Sequence, residues 1–182
     1  LVILAVLSTP KLQTTTNVFV LSLAFADLSI TAFVEPVTVA GLFGEREQLY
    51  EQWPGLCTAV GSVCFTSCTC SLWTIGAIAI NRYVYICKHQ LYEKVFTWTK
   101  TIFIAVLIWA LCIVADLTNH LGWGGHRFDP KAMICSYDRL VSYSHVLFSV
   151  LVFVSTPIVF ITIAYSHVYL TLRKSSKRLQ NM

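Results

Sequence analysis

Four stretches of this 182-residue chain are apolar enough and long enough to cross a bilayer, and they decide what it can fold into. They lie at 17–43, 57–87, 99–119 and 142–172, after an apolar stub at 1–7. Inside hydrocarbon every backbone N–H and C=O must find a partner within the protein, so a spanning segment is a helix or part of a closed barrel. Barrel strands alternate apolar and polar residues over about ten positions. These runs are instead continuous over roughly 20 residues or more, the length of a spanning helix. The expected fold class is therefore all-α, a polytopic membrane helical bundle. Composition agrees, because 56% of residues are hydrophobic and only 12% charged, against about 25% charged in a typical soluble domain. The same figures exclude a disordered chain, which needs low hydrophobicity and high charge.

The stub rises only about 10 Å as a helix. It lacks a basic leader and a small-residue cleavage site, so it reads as the end of a helix rather than a signal peptide. The whole of 1–182 is expected to be one partial domain, cut at both ends. No internal repeat or low-complexity tract interrupts it.

Basic residues orient the spans. Lys11, Arg82, Lys88, Lys94, Lys100, Arg173, Lys174, Lys177 and Arg178 fall on one side, and Arg46, Arg127, Lys131 and Arg139 on the other. The richer side is cytoplasmic by the positive-inside rule, which puts the N-terminal side outside the cell. Cys57 and Cys135 then both face an oxidising compartment, which permits a disulfide between them. Cys64, Cys68, Cys70, Cys87 and Cys112 lie in spans or on the inner side. They read as small packing residues between helices, since no Cys or His set among them completes a tetrahedral metal site. The basic residues lie at helix ends against a bilayer, and nothing points to nucleic acid.

The residues with the most specific pattern are spread over all four spans. Asn17 to Leu28 reads NVFVLSLAFADL, the next span carries Asn81-Arg82-Tyr83 at its inner end and Cys57 at its outer end, the third carries Trp109, and the fourth carries Pro157 and Tyr165. This set resembles the rhodopsin-like (class A) G-protein-coupled receptors over the whole chain. The resemblance makes the stub the end of helix one and the spans helices two to five, with helices six and seven missing. It implies a receptor in the plasma membrane that transduces an extracellular ligand to a heterotrimeric G protein, of the Gi/o type, with no bond chemistry and hence no enzyme. It implies that Asp27 and Ser71 form a sodium-binding polar core. Without it, Asp27 reads as a buried carboxylate bonded to neighbouring helices. It further implies that Arg82, with Asn81, Tyr83 and Tyr165, is the inner switch for coupling; lipid snorkelling is the other reading of an edge arginine. Asn81 stands where most relatives carry Asp, so the usual ion pair to Arg82 is lost.

Within that family the inner motif Asn81 to Cys87 and the outer segment Phe128 to Cys135 resemble melatonin receptors. Leu91 to Phe96 and Trp123-Gly124 also resemble the insect trapped-in-endoderm and moody orphan receptors. The family register places a ligand pocket between helices three, four and five, lined by Cys64, Cys68, Asn119, Tyr137, Arg139 and Phe153. Cys64 occupies the position where amine receptors carry Asp, which argues against a biogenic amine. Asn119 and Tyr137 keep melatonin-receptor contacts, but Arg139 replaces their Gln, Phe153 their helix-five His and Thr118 their Pro. No cofactor is expected beyond the sodium ion, and no other metal.

Three rival readings differ in class. An opsin-like light receptor would carry its retinal lysine on a helix this chain lacks. A membrane transporter or enzyme wants several ionisable groups converging at mid-bilayer, where only Asp27 qualifies. A non-functional fragment is the third. Glu35 before Pro36 marks a bend in the first span.

Overall fold

The computed structural model describes residues 2–43, 53–129 and 134–180. The acidic loop that contains Glu45, Arg46, Glu47 and Glu51, and the tip that contains Lys131, lie outside them. Among the described residues, four helices are long and apolar enough to cross a membrane: Thr15–Ala40, Gly55–Cys87, Trp98–His120 and Tyr143–Lys177.

In chain order, α1 (Val2–Ser8) leads through a 3-10 turn at Pro10–Leu12 into α2 (Thr15–Ser29). A π turn at Ile30–Val34 joins α2 to α3 (Glu35–Phe43), and α4 (Pro54–Cys87), α5 (His89–Val95) and α6 (Trp98–His120) follow. The last span is α7 (Tyr143–Ser149), a π turn at Val150–Ser155, and α8 (Thr156–Gln180).

Both π turns have the same local cause. A proline lacks an N–H and its ring clashes with the carbonyl four residues back, so an α-helix upstream of it must yield. Pro36 and Pro157 each follow a π turn by two residues, and the intervening N–H groups of Glu35 and Thr156 reach five residues back, to Ile30 and Leu151. The helix widens by one residue instead of breaking. The bend expected at Glu35-Pro36 takes this form, and the span continues to Phe43.

Helix ends follow sequence signals. Pro54 opens α4, where a missing N–H costs nothing. The side chains of Thr97 and Ser142 cap α6 and α7 by accepting from the backbone N–H groups of Lys100 and His145. Just beyond α6, Gly122 adopts φ 90°, the left-handed conformation that stops a helix at little cost in glycine.

The 34-residue α4 is the hub, and α2, α6, α8 and both strands pack on it. Thr101, Ala105, Ile108, Cys112, Ala115 and Asn119 of α6 are buried and recur every three or four positions, with Asp116 buried beside Ala115. Most are small, which lets the backbone of α6 approach α4 closely where apolar burial gives no drive in lipid. Cys70 of α4 packs there against Ile108 and Cys112, the packing role expected of the interior thiols. The opposite face of α6, with Phe103, Val106, Leu111 and Val114, is exposed as a lipid-facing stripe should be.

Two parts of the polar connections are ordered beyond what their composition suggests. The polar connection that starts at Lys88 forms α5 over His89–Val95. The loop after α6 contains an antiparallel hairpin of β1 (His126–Asp129) and β2 (Ile134–Tyr137), so the described residues form a helical bundle with one small sheet. Its register sets His126 opposite Tyr137 and Phe128 opposite Cys135.

Candidate functional site

The hairpin is fastened to the bundle by a disulfide between Cys57, at the start of α4, and Cys135 on β2, with Cα atoms 5.3 Å apart. Cys135 is fully buried against Val34 and Val60. Below this cap lies a cavity of about 250 Å³ between α4, β2 and the last span. Five of the six residues expected to line a pocket do so: Cys64, Cys68, Tyr137, Arg139 and Phe153. An aromatic wall forms its floor, with Phe65 edge-on to Tyr137 at 5.8 Å and to Phe153 at 6.3 Å. The guanidinium of Arg139 stands 5.6 Å over the Tyr137 ring, a cation–π distance.

Asn119 is not in this cavity. Its side chain is buried on α6, where Nδ2 donates to Asp116 Oδ1 at 3.3 Å. Asn119 lies one turn beyond Asp116 on the same helix, so its amide serves that carboxylate. Ser149 lines the cavity instead, with a buried Oγ that has no hydrogen-bond partner among the described residues. The sequence carries a signal for it, because Ser149 precedes Phe153 by four positions and therefore shares its helix face.

A second polar group at the same end escaped the sequence reading. Asp116 Oδ2 lies 3.3 Å from His120 Nε2 and Asp116 Oδ1 lies 3.1 Å from His126 Nε2. Ser62 Oγ approaches His120 Nε2 at 2.9 Å. Nearby, His145 is buried, with Nε2 2.9 Å from Thr118 Oγ1 and its ring edge-on to Trp123 at 5.3 Å.

At the far end of α4, Asn81 is buried and accepts a hydrogen bond from Thr16 Oγ1 at 3.0 Å. Tyr92 of α5 sits beside this pair, 3.0 Å from Thr15 Oγ1. Burial raises the Tyr92 phenol's pKa, but hydrogen bonds from Thr15, Thr16 and Asn81 outweigh it and hold the group below its ordinary value. Asn81 thus ties α4 to α2 and α5 rather than holding Arg82. The Arg82 side chain is exposed and has no hydrogen bond or ion pair among the described residues. Tyr83 packs against His167 of α8 at 5.5 Å, while Tyr165 is 41% exposed with no bond to Arg82 among the described residues.

In the middle of the bundle, Trp109 Nε1 donates to Ser22 Oγ at 3.0 Å and its ring meets Phe25 at 5.4 Å, which locks α6 to α2. Gly76 packs against Pro157, where a Cβ would lie 3.6 Å from the proline ring. Asp27 is exposed on α2, and Ser71 Oγ on α4 is buried without a partner among the described residues. No described bond joins the two.

The comparisons with known proteins converge. The sequence profile of the "7 transmembrane receptor (rhodopsin family)" matches residues 1–182. The chain is 32% identical to melatonin receptor type 1B-B of Danio rerio over 181 residues, covering 100% of this chain and 51% of that receptor. It is 31% identical to human melatonin receptor type 1B over 178 residues, covering 98% and 48%. Squid rhodopsin superposes with a TM-score of 0.82 at 21% identity, covering 100% of this chain and 50% of that one, which speaks for the fold alone. The chain spans about half the length of the curated relatives it matches. With four membrane-length helices, a disulfide-tied hairpin over a cavity and a family profile along its whole length, this multi-pass membrane chain belongs to the rhodopsin family of seven-transmembrane receptors.

Proposed function

We propose that the chain is the ligand-sensing and inner-switch portion of a melatonin-receptor-like G-protein-coupled receptor in the plasma membrane. The disulfide end faces outward and the Arg82 end meets a heterotrimeric G protein of the Gi/o type. One observation carries the reading: the cavity wall and Arg82 belong to the same unbroken helix. Cys68 and Arg82 are 14 positions apart on α4, about 21 Å of rise. A ligand seated at Cys64 and Cys68 therefore bears directly on the rod that ends in Arg82. It acts by favouring one of two helix arrangements, through its different affinity for each.

The cavity favours a small, flat, mostly apolar ligand. Its aromatic wall suits ring stacking. Its polar anchors are Ser149 Oγ and the Arg139 guanidinium, which call for a hydrogen-bond acceptor or an anionic group. Asp27 with Ser71 is proposed as the sodium-linked core, supported by the orphaned Ser71 hydroxyl, which an ion-bound water network would satisfy.

Melatonin is expected to bind weakly. An unpaired ligand amide or methoxy group costs about 1–3 kcal/mol, roughly ten- to hundredfold in affinity per contact. Radioligand binding to the full-length receptor should show this. The double variant Arg139→Gln with Phe153→His should recover roughly tenfold or more. Tight melatonin binding by the unaltered receptor would mean that Arg139 and Phe153 do not face the ligand.

A further inference from the structure

Three metal-ligating side chains from two elements meet at the disulfide end. Asp116 and His120 are one turn apart on α6, and His126 opens β1 after the Gly122 turn. We propose that Asp116, His120 and His126 bind a zinc-type divalent transition-metal ion at the seam between α6 and the hairpin, with a fourth position open to water.

The geometry is near that of a bound ion. Zinc holds His nitrogen and carboxylate oxygen at about 2.0–2.2 Å, so ligand atoms at tetrahedral angles stand about 3.4 Å apart. His120 Nε2 lies 3.3 Å from Asp116 Oδ2 and His126 Nε2 3.1 Å from the other carboxylate oxygen, Oδ1, and one ligand atom from each residue lies within 4.8 Å of the others. A shift of the exposed His120 ring closes the remaining gap. Two imidazoles and a carboxylate suit zinc, whereas calcium and magnesium want oxygen ligands alone.

The surroundings fit a built site. Asn119 Nδ2 donates to Asp116 Oδ1 and orients the carboxylate, while Ser62 Oγ, 2.9 Å from the same His120 Nε2, is the contact that the ion would replace. The His126 side chain is 1% exposed and that of His120 40%, so the group is anchored inside and open on one side. Gly61 makes room for it, since a Cβ there would sit 2.5 Å from His126 Cδ2. Because His126 pairs in register with Tyr137, the ion would clamp the hairpin behind the cavity wall. That consequence rests on the ligand-cavity reading, while the metal site does not.

The test uses the purified full-length receptor in lipid nanodiscs, titrated with zinc chloride against a fluorescent chelator, and X-ray absorption at the zinc edge. One equivalent should bind in the micromolar range or tighter, with nitrogen and oxygen at about 2.0–2.2 Å and no sulfur shell at about 2.3 Å. His126→Gln and His120→Gln should each weaken binding roughly tenfold or more, the scale that even an outer-shell loss reaches. His89→Gln, at the opposite end of the bundle, should leave it unchanged. If His126→Gln fails to fold, the exposed His120→Gln carries the test alone. A sulfur shell from the free cysteines, or undiminished binding in the histidine variants, would overturn the proposal. Absence of zinc binding would overturn it too and leave a hydrogen-bonded Asp–His–His group.

Discussion

Cys57→Ser and Cys135→Ser should each nearly abolish surface expression and ligand binding of the full-length receptor. The bond closes a loop across a sequence separation of 78 residues. By chain entropy alone, closing such a loop stabilises the folded state by about 4.5 kcal/mol. The loss goes beyond the tether, because Cys135 is fully buried beside Val34 and Val60 while its strand neighbours Ser136 and Tyr137 wall the cavity. Without the bond, nothing covalent keeps β2 over α4. Flow cytometry of an epitope-tagged receptor and radioligand binding check this, and normal values in both single variants would show that packing alone seats the hairpin.

Arg82→Ala should abolish ligand-stimulated nucleotide exchange and leave ligand affinity within about threefold, less than 1 kcal/mol. Arg82 is exposed and unpaired among the described residues, about 21 Å along α4 from the cavity, so its loss removes little packing. Asn81→Asp is a gentler change. The new carboxylate still accepts from Thr16 and adds a charge beside Arg82. Burial at position 81 opposes ionisation of the new carboxylate and its partner Arg82 is exposed and screened, so the pair adds about 0–1 kcal/mol and basal exchange should fall a few-fold at most. Both are read as basal and ligand-stimulated nucleotide exchange in membranes at matched expression. Unchanged coupling in Arg82→Ala would leave lipid snorkelling as the role of this arginine.

The sequence alone determined the helical architecture, because lipid leaves a continuous apolar run no other way to bond its backbone. It also determined landmarks that depend only on position along one helix: Cys57 at one end of α4 and Arg82 at the other, and Pro36 distorting its own helix. What it did not determine depends on helix rotation and on loops. Asn119 and Ser149 both stand on the inward faces of their helices; the bond from Asn119 to Asp116 is local to α6, but which of the two residues reaches the cavity is set by how the helices dock. Asn81 was legible as a missing charge, but its bond to Thr16 required α2 and α4 to be docked. The spacing of Asp116 and His120 puts them on one helix face, but nothing in the intervening residues announces His126. Only the Gly122 turn and the hairpin that pairs β1 with β2 return it to within 3.1 Å of Asp116. Local periodicity records which face of a helix is buried, whereas the partner that face meets is set by the docking of elements far apart in the chain.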